Sequence, residues 1–130
     1  MNTTTGLLKA TGRVAALCLA TFVPVSITNA QILPSAQVKT LTATAKTSAD
    51  HMKLAKHYEA VAAKHEAEAK EHEALAEQYT KNPTGHEQKH PMSGQTAAHC
   101  RHYAEHCRKA AESARGIAAA HADMAKQDGK

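Results

Sequence analysis

The sequence predicts an all-α protein, an antiparallel two-helix coiled-coil hairpin with Ala-rich heptads that dimerises into a four-helix bundle. Three observations lead there. The tract from Ser48 to Tyr79 contains no Gly or Pro and is dominated by Ala, Glu, Lys and Leu, all good helix formers. A second tract of similar composition follows a stretch holding Pro83, Gly85, Pro91 and Gly94. Both tracts repeat in sevens. Ala55, Ala62, Ala69 and Ala76 form one column, and Ala104, Ala111, Ala118 and Ala125 form its counterpart.

Residues 1–30 read as a secretory signal peptide. Lys9 and Arg13 are the only charges before residue 39, an apolar run from Val14 to Val23 follows, and Thr28-Asn29-Ala30 makes a small-residue cleavage site. The run is shorter than the roughly 20 residues of a spanning helix, so no stable membrane anchor is expected after cleavage. Periplasm or secretion is the expected destination. Leu17 stands where a lipoprotein signal needs a small residue, which removes Cys18 as a lipid attachment point.

Residues 31–47 read as a linker and fraying helix start, since Thr is a poor helix former. The hairpin occupies 48–127: a helix over 48–80, a loop over 81–94 and a helix over 95–127, with Ser93 as the expected cap of the second helix. A loop of about a dozen residues makes the helices antiparallel neighbours. A strict period of seven implies left-handed supercoiling, and an unbroken Ala column permits close backbone approach. Pairing from the loop outward sets His72 opposite Tyr103, Cys107 near Glu68, His51 opposite Met124 and Leu54 opposite His121. Few large apolar side chains line this seam, and each contributes only about 1.5–3 kcal/mol when fully buried. A homodimer or a bound metal is therefore expected to supplement it.

The 130 residues include 16 Lys and Arg against 12 Asp and Glu. Lys9 and Arg13 leave with the signal, and the remaining near-neutral chain lacks the dense basic patch that nucleic acid requires. Aromatics make up only 3% of the chain. No nucleophile–base–orienter set and no Gly-rich phosphate loop can be assembled, so an enzyme is not expected. The acidic residues of the first helix and the pairs Arg101–Glu105 and Arg108–Glu112 of the second read as solvated helix faces. Glu68 is the exception, because it occupies a seam position where Leu or Val belongs. Arg108, His106 or a metal are its expected partners.

What stands out is donor chemistry. All ten His follow the signal, and the densest cluster is His99-Cys100-Arg101-His102-Tyr103-Ala104-Glu105-His106-Cys107. Cys100 and Cys107 share a helix face about 10.5 Å apart along the axis, too far for a disulfide, which needs Cα atoms within about 7 Å. They are small seam hydrophobes, half-cystines between chains, or soft ligands. His102 and His106, at i and i+4, can converge on one ion, and His99 flanks them. The expected metal ligands are Cys100, Cys107, His99, His102, His106 and His72. A second grouping, His51, Met52, His121 and Met124, falls at the open end of the hairpin, and His86 to Met92 forms a third in the loop. His65 reads as seam packing. Thiolate, thioether and imidazole together favour copper over zinc or nickel. The expectation is thus an exported hairpin that buffers or senses copper-like ions. The alternative is an exported structural or chaperone-like coiled coil with no metal role.

Overall fold

The computed structural model describes residues 32–130, so the expected signal at 1–30 lies outside the described residues. Three helices and no strand occur among them: α1 (Ser35–Thr44), α2 (Ser48–Lys81) and α3 (Ala97–Asp128). The two long helices pack along their length as a hairpin. None of the three is long and apolar enough to cross a membrane.

α2 starts sharply because Thr47 and Asp50 form a capping box. The Thr47 hydroxyl accepts from the Asp50 N–H, and the Asp50 carboxylate accepts from the Thr47 N–H. α3 starts at Ala97 under Thr96, whose hydroxyl accepts from the His99 N–H at 3.2 Å. Ser93, the expected cap, sits a turn earlier. Its carbonyl accepts from the Thr96 N–H and hydroxyl, so a short turn occupies the residues where the helix was expected to begin. Thr96 also donates to the Pro91 carbonyl and is fully buried, fastening the loop to the helix start. Gly85, at φ 82°, turns the loop after Pro83 through a conformation that other residues rarely adopt.

The seam is built of methyl groups. Ala55, Ala62, Ala69 and Ala76 of α2 and Ala104, Ala111, Ala118 and Ala125 of α3 are each at most 3% exposed. Ala62 packs on Ala111 and Ala114, and Ala69 packs on Ala104 and Cys107. Rows of such small side chains let the backbones approach, so long side chains at the seam edges reach across it. Arg108 pairs with Glu73, and Arg115 with Glu66. Arg101 donates to the Thr80 hydroxyl at 2.8 Å. The expected pairing of Arg101 and Arg108 with acids on their own helix gives way to contacts across the seam. The reason is the narrow gap, which puts α2 partners within reach of a guanidinium.

Residues 35–44 form a separate helix rather than a frayed start of α2. Pro34 precedes it, and the chain breaks at Ala45–Thr47 to enter the capping box. α1 packs on α2 with Val38, Leu41 and Ala45 half-buried on one face. The Leu33 N–H donates to His57 Nδ1 at 3.0 Å, 24 residues away, which ties the segment just before α1 to α2 one turn after Leu54. Leu54 is 0% exposed and His57 is buried, so this end holds the largest apolar side chain of the core. Burial pushes His57 below the usual imidazole range, and as an acceptor its Nδ1 carries no proton.

Candidate metal centre

Midway along the hairpin three donors from two helices converge. His65 and Glu68 stand three residues apart on one face of α2, and Cys107 reaches them from α3. Their ligand atoms lie within 4.8 Å of one another. His65 Nδ1 is 2.9 Å from Glu68 Oε2, and the Cys107 thiol faces that same oxygen at 3.8 Å. The other carboxylate oxygen faces Lys64 Nζ at 3.8 Å. Ala69 and Ala104, packed on Cys107, bring the helices near enough for a carboxylate of α2 to meet a thiol of α3. Around a tetrahedral ion, sulfur and nitrogen ligands stand about 3.5 Å apart, against a spread of up to 4.8 Å among these atoms.

The electrostatics are those of a protonated thiol beside an ionised carboxylate. The hydrogen bond with His65 holds Glu68 below the usual carboxylate range. Burial, and then the Glu68 charge, push the Cys107 thiol up. Tyr103, on the same groove with His106 and Ala110, is raised by Cys107 and then by Glu68. One negative charge, on Glu68, stands at this spot and favours a cation beside it, and a cation there would in turn favour loss of the Cys107 proton.

Five of the six expected ligands are scattered around α3, and His72 stands on α2. Cys107 is in the cluster. His106 lines its groove and stacks on His102 with ring centroids 4.4 Å apart, both rings exposed. His72 lies on Tyr103 with centroids at 4.1 Å, the cross-seam pair the register predicts. His72 Nδ1 is buried without a hydrogen-bond partner. His99 flanks Tyr103 at 6.5 Å. Cys100 is a free thiol, 1% exposed, and burial raises its pKa. It fills the seam as a small apolar group, a turn and more from the cluster. Sequence reasoning missed His65 as a ligand. The available signal was Glu68, an acid in a seam position, with an imidazole one turn earlier and Cys107 opposite.

Comparison with known protein families, with curated proteins and with solved structures gives no match for this chain. The functional reading therefore stands on this geometry.

Proposed function

We propose that the chain is an exported metal-binding helical hairpin whose ion sits in the seam, held by His65 Nδ1, Glu68 Oε2 and Cys107 Sγ. The observation that carries this is the convergence of imidazole, carboxylate and thiol from two helices onto one point. A carboxylate in place of a second sulfur moves the preferred ion from Cu(I) toward Zn(II), with Cu(II) and Ni(II) as competitors. Three protein ligands leave one position for water or His106. Binding displaces the Cys107 proton, so affinity rises with pH, and buffering of periplasmic ions is the role such a site suits.

A nucleophilic role for Cys107 fits less well. An activated cysteine has a lowered pKa and an adjacent base. Here the thiol faces a carboxylate and its pKa is raised. A binding protein, not an enzyme, is the better reading.

Two finer features belong to the same proposal. The seven-residue spacing of buried Ala supports left-handed supercoiling of α2 and α3. Tyr103, Ile117 and Met124 share one column of α3 and are 42–43% exposed. A second copy laid along that column would cover it and complete a four-helix bundle, and sedimentation at rising concentration reads this directly.

Competition for Zn(II) against a chromophoric chelator tests the site. Cys107→Ser and His65→Ala are each expected to weaken the thiolate site by more than the about 10–100-fold that an outer-shell partner costs. Cys100→Ser is expected to leave it unchanged. Unaltered affinity in Cys107→Ser would remove the proposal. Suppression of a model substrate's aggregation with no metal present, beside unaltered metal affinity, would favour a chaperone-like coil instead.

A further inference from the structure

The open end of the hairpin, opposite the loop, carries a second arrangement of donors. His51 lies in the first turn of α2, and His121 lies two turns before the end of α3. Their Nδ1 atoms are 3.1 Å apart, and the rings lie within 23° of parallel. On its other side, His51 Nε2 faces Asp128 Oδ2 at 3.5 Å. Tyr58 lies parallel to His121, 6.1 Å away. His51 and His121 are both half-buried.

We propose that His51 and His121 form a second transition-metal site, with both Nδ1 atoms as ligands and Asp128 orienting His51 from behind. Two nitrogen ligands on a tetrahedral Zn(II) stand about 3.3 Å apart, so the pair already has the bite of a chelate. Binding through Nδ1 puts the remaining proton of His51 on Nε2, which faces Asp128. That is the carboxylate–histidine–metal relay found behind most metal-bound imidazoles, where it fixes the tautomer and raises ligand basicity. Without an ion only one of the two Nδ1 atoms can carry the shared proton, and the other presents a lone pair to it. An ion between them replaces that proton and satisfies both.

This site is independent of the thiolate cluster. Fourteen positions along α2 separate His51 from His65, about 21 Å of helix. It uses only imidazoles, which suit Zn(II), Cu(II) and Ni(II) alike, and leaves two positions to water. Its effect is also distinct. The loop closes one end of the hairpin covalently, whereas no covalent connection joins α2 and α3 at the other, and an ion held by both helices would clasp that end.

The test uses Zn(II) alone and the Cys107→Ser protein, in which the thiolate cluster is silenced. Imidazole 15N NMR is expected to show the His51 and His121 Nδ1 resonances moving together and saturating at one equivalent. The melting temperature should rise with zinc concentration. His121→Gln is expected to abolish both effects while keeping its helical circular dichroism. Asp128→Asn should weaken binding about 10–100-fold without altering the fold. Unmoved His51 and His121 resonances, or full binding by His121→Gln, would overturn the proposal. In a separate measurement on the unsubstituted protein with Co(II), a thiolate charge-transfer band reports the Cys107 cluster. Its absence beside intact imidazole binding would sink the thiolate site and leave this one, and the reverse pattern would do the opposite.

Discussion

Replacing Ala111 by Leu asks how closely α2 and α3 approach. Ala111 is 1% exposed and touches Ala62 and Ala114, with Val61 packed beside them. Leu adds three carbons. If the seam had room, burying them would stabilise the protein by about 0.8 kcal/mol each, on the order of 2 kcal/mol in total. In a seam of methyl groups there is no such room, and the added bulk forces the helices apart. Overpacking of this kind costs about 1–3 kcal/mol. For a chain of this size each kcal/mol shifts the midpoint by about 4–8 °C, so a fall on the order of 5–20 °C is expected. Ala120→Leu, on an exposed position of the same helix, controls for side-chain effects and should move the midpoint little. Thermal melting by circular dichroism reads both. An unchanged or raised midpoint in Ala111→Leu would refute close approach along the seam.

Three further outcomes follow from single residues. Gly116 lies inside α3 with nothing within 4 Å of where a Cβ would stand, so Gly116→Ala should stabilise by about 0.5–1 kcal/mol in chemical denaturation. Leu54 is fully buried, and Leu54→Ala should cost about 2–5 kcal/mol in the same assay. Acid should weaken the open end, because His57 and His121 both titrate below the usual imidazole value of 6.5. The unfolded chain then takes up protons before the folded one, so stability holds above about pH 6.5 and falls as pH drops below it. A proton on His57 Nδ1 also removes the acceptor for the Leu33 N–H. Melting midpoints should therefore fall between about pH 7 and pH 5.5, less steeply in His57→Gln, and a midpoint that rises on acidification would contradict this.

The hairpin was legible because its signals are local and repeated. A breaker-free tract, a breaker-rich loop and two Ala columns each point to the same arrangement, and all eight of those alanines are buried. α1 was read as frayed because Thr-rich sequence has weak intrinsic propensity. Its helicity goes with tertiary contacts, the Val38 and Leu41 face on α2 and the bond from Leu33 to His57, which propensity does not contain. Ser93 is by type the better cap, and the turn between it and Thr96 nonetheless makes Thr96 the residue that starts α3.

The candidate centre was half legible for a related reason. Dense donors in sequence, from His99 to Cys107, are spread around a helix by its own period. Cys100 and Cys107 turn into the seam while His102 and His106 turn out. Proximity across the seam follows register instead. The pairing of Cys107 with Glu68 and of His72 with Tyr103 came from that register. Ranking donors by register rather than density would have brought His65 and Glu68 forward and set Cys100 back. At the open end the pairing ran about one turn off, giving Met124 to His51 where the structure gives His121.

X-ray absorption at the zinc edge, on His121→Gln protein carrying one equivalent of Zn(II) so that the imidazole pair does not compete, tests the seam site most directly. The expected shell holds a single sulfur at about 2.3 Å with nitrogen and oxygen at about 2.0–2.2 Å, and the sulfur vanishes in Cys107→Ser. A shell of nitrogen and oxygen alone, or one with two sulfurs, would contradict it.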